Sequence, residues 1–276
     1  ASAAYRAGAG LVTVGTPGPV AGMLAGTHSE PTWIMLPHDM GVISEQATNM
    51  VLGNLAGYAA LLIGPGLGQE ATTGTFLQRL LAKSPDTPAQ AKKRTIGFAA
   101  TTDTPQDASS DEATLPPLII DADGLNLLAK LDKWPTLLPK NTIITPHPGE
   151  MARLSGMSNA EIQADRINTA KDKAAEWGVV LVLKGAHTVI ASPDGEVSML
   201  PFKNDGLATA GTGDVLAGLI AGLRAQGLDA FDAAIVGGYV HGLAAESYWR
   251  GGHPRSLMAS DLLNAVGRAW NALDRA

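Results

Sequence analysis

The run Ala210-Gly211-Thr212-Gly213-Asp214-Val215-Leu216-Ala217-Gly218 places glycines and a carboxylate where a loop gives way to helical periodicity. Glycines there let consecutive backbone N–H groups converge on one point. A helix amino end adds the positive end of its dipole, so together they make an anion site. Donors preorganised in this way stabilise the charge that develops on a transferring phosphoryl group. Asp214, in the first turn, is electrostatically awkward beside an anion unless it has a task, such as accepting the proton of an attacking hydroxyl. The alternative is that Asp214 caps the helix and the glycines serve the turn.

Four further clusters carry chemistry. Thr145-Pro146-His147-Pro148-Gly149-Glu150 follows an apolar segment and is stiffened by two prolines. His147 could donate to a substrate oxygen, and Glu150 could hold a water of a phosphate-bound Mg²⁺; a rigid turn whose glutamate opens the next helix explains the same residues. In Ile120-Asp121-Ala122-Asp123-Gly124-Leu125-Asn126, Asp123 and Asn126 sit just past a buried strand, where they could orient phosphate or metal waters or simply cap and flank a helix. Lys184-Gly185-Ala186-His187-Thr188 offers small residues and donors that could wrap a nucleotide, with Lys184 meeting a phosphate. Gly64-Pro65-Gly66-Leu67-Gly68 has G-x-G-x-G spacing, not that of the dinucleotide fingerprint, and no P-loop pattern is present. Phosphate binding therefore falls to the glycine turn at 211–214. His28, His38, His241 and His253 lack partners at metal-ligand spacing and read as structural or surface residues.

These clusters need elements to hold them. Short apolar runs at 11–14, 33–36, 60–63, 118–120, 142–144 and 179–183 read as buried strands, several ending in Gly, Asp or Thr. Helical patterns lie between them, including 158–177. Such alternation predicts a mainly parallel sheet covered by helices on both faces, with ligands at the carboxyl ends of the strands. Residues 187–200 read as a hairpin turning at Ser192-Pro193-Asp194-Gly195. The last third is helical at 213–226, 229–249 and 260–273, the last opened by Ser260 as N-cap. Residues 83–117 are polar and proline-rich and read as an exposed loop insertion. All 276 residues fit a single α/β domain.

Composition narrows the classes. With no cysteine, disulfides and thiolate chemistry are excluded. A net charge of −6, with one short basic cluster at Lys92-Lys93-Arg94, argues against a nucleic-acid surface. No apolar stretch approaches the ~20 residues of a membrane span. No export signal is visible near the start, so no membrane partner is expected and the cytoplasm is the default compartment.

In this order, the five clusters resemble the ribokinase-like superfamily, and more closely the ADP/ATP-dependent NAD(P)H-hydrate dehydratases, the carboxy-terminal half of bifunctional hydrate-repair proteins. The resemblance covers nearly the whole chain outside 83–117. It implies ADP-dependent dehydration of the (S)-hydrate of NADH or NADPH, through phosphorylation of the C6 hydroxyl and elimination, releasing AMP and phosphate. ATP replaces ADP in some members. It implies an adenine nucleotide and Mg²⁺ as co-substrate and cofactor. Asp214 is then the catalytic base, with Gly66, Gly68, His147 and Asp214 on the hydrated dinucleotide. Lys184, Gly185, Ala186, His187, Thr188, Gly211, Thr212 and Gly213 would contact the nucleotide, and Glu150, Asp123 and Asn126 would meet the metal through water. It further implies a homo-oligomer, a tetramer, and an epimerase partner, fused or separate. Members usually begin with a strand and glycine-rich turn that this chain lacks, so its sheet is expected to be one strand short. A kinase of a vitamin-precursor alcohol and a non-catalytic nucleotide-binding regulator are the competing readings.

Overall fold

The computed structural model describes residues 1–83, 115–249 and 251–275, so most of the expected insertion at 83–117 lies outside the described residues. Along the chain come α1 (Ser2–Arg6), β1 (Thr13–Pro17), α2 (Gly18–Ala25), β2 (Thr32–Leu36), β3 (His38–Asp39), β4 (Val42–Ile43) and α3 (Ala47–Asn54). They are followed by β5 (Leu61–Ile63), α4 (Ala71–Leu81), β6 (Leu118–Ile120), α5 (Asp123–Leu128), β7 (Ile143–Ile144), α6 (Pro148–Ser155), α7 (Asn159–Ala164) and α8 (Arg166–Trp177). The remainder is β8 (Val180–Leu183), β9 (Val189–Ala191), β10 (Val197–Met199), α9 (Thr212–Ala225), α10 (Ala230–Trp249) and α11 (Ala259–Leu273).

Strands β5 to β8 pair in parallel, and β9 and β10 extend that sheet as the expected antiparallel hairpin, in the order β10-β9-β8-β7-β6-β5. The pleat explains why its strands are apolar throughout. Leu118, Ile120, Ile144, Leu181 and Leu183 face the core under α3 to α8, while Ile119, Ile143, Val180 and Val182 face the core under α1, α9, α10 and α11. No helix among the described residues is long and apolar enough to cross a membrane.

Several expectations are adjusted. The first strand runs from Thr13 to Pro17 rather than over 11–14, because Leu11 is 64% exposed and the Val12 amide donates to the Tyr5 hydroxyl (3.2 Å). Among the described residues, β1 and β2 pair only with each other, in a sheet of their own. Between β1 and β5 lies an apolar cleft of about 330 Å³, lined by Val14, Ile34, Leu61, Ile63, Gly218 and Gly222 among others. The helix expected over 158–177 is two helices, since Asp165 leaves helical geometry (φ −147°, ψ 76°) to cap α8 by accepting the Asn168 N–H. Ser260 lies inside α11, whose N-cap is Met258; the Asp261 carboxylate reaches back to the Met258 N–H (2.9 Å).

Gly64 shows how tightly the strand ends are packed. It has φ +130°, and a Cβ there would collide with the backbone carbonyl of Asp121. That carbonyl also accepts the Gly124 N–H (3.0 Å), so it has no room to withdraw. Gly64→Ala is therefore expected to cost on the order of 3 kcal/mol, read as a lowered urea midpoint at unchanged slope.

Candidate active site

Parallel strands deliver their carboxyl ends to one side of the sheet, and three of them supply the floor of one cavity of about 650 Å³. Asp121 directly follows β6, β7 leads through Thr145 and Pro146 to His147, and Lys184 directly follows β8. The amino end of α9 closes the cavity with Gly211, Thr212, Gly213 and Asp214.

Lys184 is the charge at the centre. Its Nζ lies 2.7 Å from Asp121 Oδ1 and 3.7 Å from Glu150 Oε2, both carboxylates being nearly fully buried. The same Nζ comes within 3.3 Å of where a Cβ of Gly213 would stand, so the ammonium sits directly under the glycine turn. Arg166 fixes the end of β8 by donating to the Leu183 carbonyl (2.9 Å). The second oxygen of Asp121, Oδ2, is buried and has no hydrogen-bond partner among the described residues.

His147 and Glu150 form a reciprocal cap on α6. The imidazole Nδ1 accepts the Gly149 N–H (3.0 Å) and Glu150 N–H (3.4 Å), while Glu150 Oε2 accepts the His147 N–H (2.8 Å). Nδ1 as acceptor leaves the hydrogen on Nε2, which faces Glu150 Oε1 at 3.5 Å. Partial desolvation, reinforced by the Lys184 and Arg153 charges, lowers the His147 pKa. Burial raises the Glu150 pKa against the opposing pull of Lys184. The helix-opening role weighed for Glu150 is thus observed, and the same residue also lines the cavity.

Asp214 is an exposed carboxylate of the cavity, standing in the first turn of α9. Partial burial, then the negative charge of Asp121, raise its pKa above the ordinary 3.8, with Lys184 opposing. A carboxyl poised in this way is a better proton acceptor than a free one.

Of the residues expected to serve the site, His147, Glu150, Lys184, Gly185, Ala186, Thr188, Gly211, Thr212, Gly213 and Asp214 line this cavity. Thr212 does so through its backbone environment, because its hydroxyl is committed to the Leu207 (2.7 Å) and Thr209 (2.8 Å) carbonyls. His187, Gly66, Gly68, Asp123 and Asn126 are not among its lining residues. His187 is exposed and serves the hairpin, donating its N–H to Phe202 (2.8 Å). Gly68 donates its N–H to Asp123 Oδ2 (3.1 Å), and Gln69 Nε2 donates to Oδ1 (2.8 Å), so Asp123 holds the glycine loop instead of facing the cavity. Asn126 Oδ1 accepts from Arg153 Nε (2.8 Å). Asp121 and His241 also line the cavity, and sequence reasoning did not assign them to it. The signal for Asp121 was a carboxylate directly after a strand apolar on both faces.

The sheet, its two helical layers and a cavity at the strand ends under a glycine turn define the ribokinase-like class. Within it, the sequence model of the NAD(P)H-hydrate dehydratase family matches residues 104–266, and the chain belongs to that family. A bifunctional NAD(P)H-hydrate repair enzyme from Moorella thermoacetica is 41% identical over 96% of this chain and 44% of its own length. An ADP-dependent (S)-NAD(P)H-hydrate dehydratase from Neisseria meningitidis is 47% identical over 49% of this chain and 46% of that one. The crystal structure of an ADP/ATP-dependent NAD(P)H-hydrate dehydratase from Bacillus subtilis, co-crystallised with ATP and Mg²⁺, is 29% identical with a TM-score of 0.73, over 98% of this chain and 84% of that one. The chain spans less than half the length of those two curated relatives.

Two outcomes follow from the electrostatics. Lys184→Met leaves two buried carboxylates without their cation and is expected to cost about 3 kcal/mol in urea unfolding. His241 is buried, and burial lowers its pKa from 6.5 to about 4. Between these values the unfolded chain binds a proton that the fold refuses, so stability is present above pH 6.5 and is lost as pH falls toward about 4. The unfolding free energy of the wild type relative to His241→Gln should therefore shrink by about 3 kcal/mol over that window, measured by urea titration at each pH.

Proposed function

We propose that this chain uses the cavity to bind an adenine nucleotide and a hydrated reduced nicotinamide dinucleotide, and dehydrates the latter at the expense of the former. The observation that carries the reading is the convergence, on one cavity, of the Asp214 carboxylate, the amide turn of α9 and the Lys184 ammonium. Family membership directs the choice of substrate.

The chemistry follows from the groups. Hydroxide is a poor leaving group, and the hydrate must lose one. Asp214 takes the proton of the C6 hydroxyl as its oxygen attacks the terminal phosphorus of the nucleotide. The bond from that phosphorus to the bridging oxygen breaks, so ADP departs as AMP and the substrate becomes a phosphate ester. The amides at 211–214 and the Lys184 ammonium meet the charge that grows on the phosphoryl oxygens. The ring nitrogen's lone pair then expels phosphate from C6, and a proton leaves the neighbouring carbon to restore the double bond. Mg²⁺ arriving with the nucleotide would neutralise phosphate charge. The unpartnered Asp121 Oδ2 and the adjacent Glu150 fit its hydration shell, whereas Asp123 and Asn126 are engaged elsewhere. His147, with its Nε2–H, suits a substrate oxygen at the cavity rim.

Two structural expectations join this reading. The cleft between β1 and β5 supports one further extended segment between them, completing the sheet. The bifunctional relative of more than twice this length supports an epimerase, fused or separate, as the source of the (S)-hydrate.

The test is to incubate the protein with hydrated NADH or NADPH, Mg²⁺ and either ADP or ATP, following return of the reduced-nicotinamide absorbance band. Recovery with AMP and phosphate as products is expected with ADP. No recovery, with phosphorylation of a vitamin-precursor alcohol instead, would assign a kinase. Asp214→Asn should lose about 10²- to 10⁴-fold in kcat while keeping its nucleotide affinity. The acidic limb of kcat/KM should lie above pH 3.8, since Asp214 must be ionised to act and its pKa is raised.

A further inference from the structure

Helix α10 carries Gly237-Gly238-Tyr239-Val240-His241-Gly242, and nothing in the proposed chemistry accounts for its glycines or its histidine. Positions 237, 238, 241 and 242 share one helix face. A Cβ on Gly237 would stand 2.7 Å from Ile220 Cγ1 in α9, one on Gly238 would stand 2.6 Å from Leu200 Cδ1, and one on Gly242 would enter the Phe202 ring. The missing side chains let α10 close on α9 and on the segment after β10. That approach carries His241 under the turn at 211–214.

His241 is 7% exposed, and its Nε2 lies 2.9 Å from the Thr212 carbonyl oxygen. A carbonyl only accepts, so Nε2 carries the hydrogen. Thr212 is thereby held at every polar group. Its N–H donates to Thr209 (3.3 Å), its hydroxyl to Leu207 and Thr209, and its carbonyl accepts from His241. The Thr212 carbonyl and the Gly213 N–H belong to one planar trans peptide and point in opposite directions. Holding the carbonyl therefore aims the Gly213 N–H away from His241, within the cavity that both residues line. Gly211 precedes Thr212 with φ +86°, and Gly213 after it has no side chain, so the bond from His241 adds to those that Thr212 itself makes in setting this peptide.

We propose that His241 is a positioning residue for the phosphoryl cradle, setting the direction of the Gly213 amide through the Thr212 carbonyl. The inference rests on the phosphoryl-transfer reading of the cavity, and it adds a residue that touches no reacting atom. Burial keeps the imidazole neutral across the working pH range, so the anchor does not switch with pH.

The experiment compares wild type with His241→Gln, His241→Leu and His241→Asn. Gln can place an amide N–H where Nε2 stood, Leu cannot donate, and Asn is too short to reach. Two readouts are taken: the ¹⁵N–¹H resonance of Gly213 during titration with ADP and Mg²⁺, and kcat against KM in hydrate conversion. Expected is a Gly213 response at least halved in H241L and H241N, with kcat down about 10- to 100-fold and KM for ADP within about threefold, while H241Q stays within about fivefold of wild type in kcat. If Leu destabilises the fold, Asn, a polar replacement, still removes the anchor. The proposal is overturned if H241L and H241N leave the Gly213 response and kcat unchanged, or if H241Q falls as far as they do. If the wild-type Gly213 amide responds to ADP but no hydrate is converted, the dehydratase reading fails and the resonance comparison still decides the role of His241.

Discussion

One ammonium group held between two buried carboxylates organises this protein. Lys184 sits 2.7 Å from Asp121 and 3.7 Å from Glu150 at the ends of β8, β6 and the loop after β7. Such a cluster is a poor way to gain stability, because desolvating three charges offsets most of their attraction. Its value is positional. The cation cannot leave without stranding two anions, so it stays under the glycine turn where a phosphoryl group would be transferred.

The turn itself is set from the other helical layer. α9 packs on the sheet through Val215, Leu216, Leu219 and Ile220, which fixes where its amino end opens. α10 then fixes how the first peptide is oriented, through His241. The sheet thus delivers the acidic and basic side chains, and the helices behind it deliver backbone donors. The two sets meet only because β6, β7 and β8 run parallel and stop at the same level.

The electrostatics of the cavity push its groups apart in role. Burial lowers the His241 pKa to about 4, and partial desolvation with the Lys184 charge lowers that of His147. Glu150 has its pKa raised by burial but sits within reach of Lys184, and Asp214 is raised by burial and by Asp121. Asp214 therefore differs from Asp121 and Glu150: it is open to solvent, as the proposed proton acceptor has to be.

Much of this was legible in the residue order. Apolar runs buried on both faces dictate a parallel sheet between two helical layers. Glycines before a helix dictate an amide turn, and Asp214, Lys184, His147 and Glu150 all come from motifs whose local geometry sends them to strand or helix ends. What the chain order could not say is which neighbours share a cavity. Asp123 and Asn126 follow Asp121 closely, yet the start of α5 turns them toward Gly68 and Arg153 and leaves Asp121 facing Lys184, 63 positions away. His187 lies three residues after Lys184, but the backbone twists there into positive φ and carries it outward. His241 reaches Thr212 because glycines let α10 close on α9 and on the segment after β10, a contact across 29 residues. Local propensity and hydrophobic period act over a few residues, and so they determined the elements; long-range packing alone decided which charges and donors meet.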